Sequence, residues 1–139
     1  MDVAAVGDDE PVALLERPWF EKIRFEPDPL RMIELWLVNS REIMERIGPI
    51  MGVVRDAAAT DPDMAAQWAA NEDQRATAFA MLARLLAERG ALRVPVGEAT
   101  DIICALLSLE VYALLTRRGW TPRRWERWAT GALAAGLLR

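Results

Sequence analysis

The segment from Ile102 to Trp128, IICALLSLEVYALLTRRGWTPRRWERW, restricts the chain more than any other, because it reads as a helix, a stop and a second start. Between Ile102 and Leu115 only Glu110 is charged, and apolar residues occur all round the helix, so burial on more than one side is expected. Arg117 and Arg118 suit the negative end of the helix dipole, and Gly119 can supply the left-handed residue that ends it. Thr121 then offers a hydroxyl to the orphan N–H groups of a new turn. Pro122, at its first position, loses nothing by lacking a donor.

The chain before this segment also reads as helical. Residues 1–17 suggest a frayed helix end and a loop, with turn chemistry at Gly7-Asp-Asp-Glu-Pro11. Pro18 to Phe25 suggests a short helix closed by Pro27-Asp-Pro29, and Asp28-Pro29 is a start signal. From Leu30 to about Ile47 two apolar rows require cover on both sides. Gly48-Pro49 is expected to interrupt that helix, leaving a further turn or two from Ile50 to Ala59. After a cap at Thr60 or Asp61 comes the helix expected to be longest, running to about Arg89 before Gly90. Its stripe is Met64, Trp68, Asn71, Arg75, Ala78, Leu82 and Leu85, with two polar residues in mid-row. Valine-rich runs are short, alternation is lacking, and Ala, Leu, Arg and Glu dominate, so the fold class is all-α, in a single domain over residues 1–139.

Composition narrows the function. Seventeen basic and 21 acidic residues leave a formal charge of −4, which opposes direct binding of nucleic acid and of acidic membranes. The lone Cys104 cannot form an internal disulfide, no signal peptide is evident, and the longest apolar run is expected to be too short to span a bilayer; a cytoplasmic setting is expected. With no histidine, no phosphate-binding glycine motif and no ExxH, the sequence points to no enzyme, metal or cofactor. Glu42 and Glu45 share a helical face and read as solvated.

The run LLSLEVYALLTRRGWTPRRWERW resembles the last two helices of TetR-type transcriptional regulators, in the half that binds ligand and forms the dimer, and the rest of the chain follows that domain in order. Relatives often carry a proline where this chain has Leu109. The helix-turn-helix reader that precedes this domain in the family is not among these residues. The resemblance implies a bundle of five to six helices whose last two form a four-helix dimer bundle with a second copy, and a small apolar or amphipathic effector bound within each chain. Walls for that pocket are then expected from Met32, Trp36, Met44, Met51, Trp68, Phe79 and Met81, with Asn71, Arg75 and Glu110 as polar groups. Ordinary core packing is the alternative for this stripe, and pairing of Arg75 with Glu72 the alternative for its charge.

On the last helix Trp125, Trp128, Ala129, Ala132, Ala135 and Gly136 fall together, with Glu126, Arg127 and Thr130 opposite. The preceding helix offers a face of Cys104, Leu107, Val111 and Leu115. These faces are the expected dimer surface, of roughly 1,200–2,000 Å² in total. Packing inside one chain is the alternative, and a scaffold that self-associates without binding a small molecule is the other functional reading. Arg123 and Arg124, at a helix start, call for a carboxylate neighbour, in the same chain or across the dimer.

Overall fold

The computed structural model describes residues 17–139, which form six helices and no strand. These are α1 (Pro18–Phe25), α2 (Pro29–Ala57), α3 (Pro62–Glu88), α4 (Val96–Leu106), α5 (Leu109–Arg117) and α6 (Pro122–Leu137). The helix end and loop expected at the start of the chain lie outside the described residues, apart from Arg17. The start signals act as the sequence indicates. Asp28 accepts from the Leu30 N–H at 3.1 Å, Asp61 from Asp63 at 2.9 Å and Thr121 from Arg124 at 3.1 Å, each with proline in the first turn. Gly90 and Gly119 hold positive φ after α3 and α5, where a side chain would strain the backbone.

Gly48-Pro49 does not interrupt α2, which runs 29 residues through Pro49 and so exceeds the 27 of α3. Proline in a helix interior costs about 3 kcal/mol. Beyond it, however, Met51 and Val54 extend the buried row of Met44 and Ile47, and each such side chain contributes about 1.5–3 kcal/mol when fully buried. Two of them offset the proline, which itself stands exposed.

The second departure is a break where one helix was expected. The chain leaves helical geometry at Leu107 and Ser108 and restarts with Ser108 Oγ accepting from the Val111 N–H at 3.1 Å. On an unbroken helix Leu107 and Leu109 would point about 200° apart. The break lets both be buried. It also redirects packing: α4 lies mainly on α3 and α6, whereas α5 lies on α2 and α6. By length and composition Val96–Arg117 is apolar enough to cross a membrane, which corrects the expectation of too short a run, although here its 22 residues are divided at Ser108.

Core packing draws on α2, α3, α4 and α6 around Ile33, Leu37, Leu82, Leu86, Ile103 and Leu133. At one end Arg89 ties the α1–α2 link to α3, donating to the Glu26 carbonyl at 2.8 Å and to that of Arg24. Close to it, the chain end is held to the α3–α4 loop by Arg93 N–H to Leu137 O at 2.9 Å and Arg139 N–H to Ala91 O at 3.0 Å.

Candidate functional site

Because α5 swings away from α3 and onto α2, a cavity of about 860 Å³ opens between α2, Trp68 of α3, α5 and the start of α6. Its α2 wall is the row Glu45, Gly48, Pro49, Gly52 and Arg55, backed by Met44 and Met51. Two glycines keep that wall low. A Cβ at Gly48 would meet Tyr112 at 3.7 Å, an ordinary contact, whereas one at Gly52 would meet nothing within 4 Å. Leu109 and Tyr112 of α5 and Trp120 before α6 complete the apolar lining. Three arginines also line the cavity, Arg117 and Arg123 exposed to solvent and Arg55 half-buried.

Of the residues expected to line a pocket, Met44, Met51 and Trp68 do so. Met32, Trp36 and Phe79 are instead buried in the common hydrophobic core, with Trp36 at 5.8 Å from Trp19, 6.4 Å from Phe20 and 6.3 Å from Phe79 between ring centroids. None of the three lines the groove beside α5. Met81 packs half-buried against the same core.

The polar trio is also divided. Arg75 donates from Nη2 to the Leu107 carbonyl, the group released where α4 breaks, and its guanidinium stands 5.3 Å from the Phe79 ring centre. Burial pushes that guanidinium below its ordinary value, while Glu72, Cys104 and Glu110 act to raise it. Neither Glu72 nor Glu110 forms an ion pair with it, and Glu110 is exposed, so the pairing expected for a buried Glu110 is absent. Asn71, one turn before Arg75, is 1 % exposed with Oδ1 unpartnered. It does not reach the groove. Burial pushes the Glu72 carboxyl, the Cys104 thiol and the Tyr112 hydroxyl above their usual ranges.

Sequence reasoning missed Tyr112, Trp120 and the groove-facing glycines, because their meeting depends on the break at Ser108. The signal for Gly48 and Gly52 was there: two glycines one turn apart in a helix that is otherwise well packed. Arg123 lines the groove, and Arg124 stacks 4.0 Å from the Trp120 ring centre, so within this chain its neighbour is an aromatic face.

The expected association face divides along its length. Leu107, Trp125 and Ala129 are fully buried within this chain, because α6 lays Trp125, Ala129, Leu133 and Leu137 on α2 and α4; they offer no surface to a partner. Gly136 turns toward Ile102, at 3.7 Å from a Cβ position. Val111, Leu115 and Ala132 are half-buried, while Trp128, Gly131 and Ala135 are exposed along the outer side of α6. Trp128 keeps 36 % of its surface and packs edge-on to Trp120 at 6.0 Å.

Among the described residues no three acidic or cysteine side chains gather as metal ligands. No family model, curated protein or solved structure matches the chain.

Proposed function

We propose that this chain is a self-associating helical receptor for a small apolar or amphipathic molecule, as its resemblance to TetR-type sensor domains implies, and that it performs no catalysis of its own. The observation that carries the proposal is the groove beside α5. Its volume of about 860 Å³ lies in the range of small-molecule sites, and its walls combine methionine, tryptophan and tyrosine with a few charged groups. A second observation supports self-association. Only 22 % of the apolar window in Val96–Arg117 is buried within the chain, and Trp128, Gly131 and Ala135 lie uncovered alongside on α6. Trp120 belongs to the groove and touches Trp128, so an occupant that shifts Trp120 also shifts the outer face of α6. A ligand favouring one arrangement of two copies would then act through a coupling of roughly 1–3 kcal/mol.

Thermal shift against a panel of apolar and amphipathic molecules tests the receptor reading. A ligand present at a hundred times its Kd adds about 2.7 kcal/mol to stability. The Gly52→Leu variant supplies the control, since its side chain enters the open groove and should itself improve the helix by up to about 1 kcal/mol. A shift seen with the parent and lost in Gly52→Leu supports the receptor; no shift from any compound favours the self-associating scaffold, for which the burial of Met32, Trp36 and Phe79 in plain core already speaks.

A further inference from the structure

We infer that the occupant of the groove is an amphipathic organic anion: an aromatic or acyl body seated between Met44, Met51, Trp68 and Tyr112, with a carboxylate or similar head group held by Arg117 and Arg123. The inference rests on the receptor reading and gives its ligand a charge. A chain with a formal charge of −4 places three arginines, Arg55, Arg117 and Arg123, around one apolar cavity. The single carboxylate of that lining, Glu45, is already engaged, accepting from Arg41 Nη1 at 2.9 Å. Arg55 has a neighbouring carboxylate, Asp56 at 3.6 Å, on its own helix. No ion pair to Arg117 or Arg123 occurs among the described residues.

The two arginines also reach the groove from different elements. Arg117 ends α5 and Arg123 opens α6, with the turn at Gly119 between them. A head group between them would meet two guanidinium groups, each able to donate a forked pair of hydrogen bonds, while the negative end of α5 opposes it and the positive start of α6 favours it. A neutral ligand would leave both cations idle. A cationic one would meet repulsion from three arginines, with the lone carboxylate, Glu45, already engaged by Arg41. The apolar walls set the remaining requirement, because a small inorganic anion would leave the half-buried Trp68 and Trp120 facing water.

Two dyes that share a ring system separate these possibilities. 8-Anilinonaphthalene-1-sulfonate carries an anionic head, and N-phenyl-1-naphthylamine is the same body without it. Fluorescence titration of the full chain should give one sulfonate site per chain, with an affinity about tenfold above that of the amine. Replacing both cations (Arg117→Gln with Arg123→Gln) should weaken the sulfonate about tenfold and leave the amine unchanged, as two partly exposed ion pairs are lost. The Arg117→Lys, Arg123→Lys pair, which retains charge, should recover most of the sulfonate affinity and guards against loss of fold. Gly52→Leu should abolish both. Equal affinity for the two dyes, or a sulfonate affinity indifferent to the glutamine pair, overturns the anionic ligand while leaving the receptor intact. Binding of neither dye overturns the receptor reading as well.

Discussion

Arg41 on α2 donates from Nε to Glu126 Oε1 on α6 across 2.5 Å, and from Nη1 to Glu45 on its own helix at 2.9 Å. The Arg41 side chain is only 10 % exposed, and its bonds to Glu126 and then Glu45 hold the guanidinium above its ordinary value. Removing one partner leaves charge behind in a largely dry place. Glu126→Ala should therefore cost roughly 2–3 kcal/mol, less than a fully buried pair because Glu45 still serves Arg41. Replacing both ends, Arg41→Met with Glu126→Leu, should return stability to within about 1 kcal/mol of the parent. Urea unfolding of the two single variants and the double variant measures this directly; additive losses would remove the coupling.

The break between α4 and α5 invites a second measurement. Ser108 caps the new helix and Arg75 accepts the task of covering the Leu107 carbonyl, so two side chains hold the ends. Ser108→Ala should cost about 1 kcal/mol. Arg75→Met should cost more, roughly 1–3 kcal/mol, since it strips a buried carbonyl of a charged donor. Chemical denaturation reads both losses. A neutral Arg75→Met would mean that water covers the carbonyl equally well.

Much of this architecture was legible in the sequence, and the failures have a common origin. Asp28, Asp61 and Thr121 cap where their neighbours in sequence say they should, because capping is settled within a few residues. Pro49 and Ser108 were misread because tertiary packing decides them. At Pro49 the buried continuation of α2 outweighs a lost hydrogen bond, and at Ser108 the need to bury both Leu107 and Leu109 outweighs helix continuity. The same cause scattered the expected pocket. Helical spacing placed Trp36, Trp68, Asn71 and Phe79 on apolar faces correctly, but which face meets the groove depends on where α5 goes. Glu126 shows the reverse error: it stands on what the wheel marks as the polar side, yet Arg41 reaches it from another helix.

Pro49 offers a gain rather than a loss. It lies exposed inside α2 and provides no N–H for the carbonyl of Glu45. Pro49→Ala should restore that bond and raise stability by about 1–3 kcal/mol. A rise in Tm of several degrees by calorimetry is expected. A fall would show that the helix around the groove is built to the proline's geometry.

Alkaline pH probes the interior near the groove. Burial raises the pKa of both Cys104 and Tyr112 in the fold, the latter also through Glu45 and against Arg41. Each group is therefore ionised first in the unfolded chain. Their contribution to stability is complete below the unfolded values, near pH 8.5 for a thiol and pH 10 for a phenol, and is lost as pH rises from there through the folded values. Tm should hence decline above about pH 9, with Cys104→Ser flattening the first part of the decline and Tyr112→Phe the later part. Cys104 should also react with Ellman's reagent at pH 8 more slowly in the folded chain than in urea. Equal rates would place the thiol in an open site.

Trp125 and Trp128 stand three residues apart on α6 and should respond in opposite ways. Trp125 is fully buried, 5.0 Å from the Tyr112 ring centre, even though its Nε1 lacks a partner. Trp125→Ala should cost about 3–5 kcal/mol, lowered somewhat because an unsatisfied donor leaves with the ring. Trp128 keeps 36 % of its surface in one chain and has Gly131 and Ala135 exposed beside it. Trp128→Ala should change the stability of a single chain by no more than about 1 kcal/mol, yet weaken self-association if two copies meet along this face. Sedimentation across a concentration series separates the effects: a dimer in the parent that dissociates at least tenfold more readily in Trp128→Ala, with folding unaltered, is the expected result. If the parent sediments as a monomer at micromolar concentration, the outer face of α6 does not bring two copies together, and the cluster of Trp120, Arg124 and Trp128 serves the groove alone.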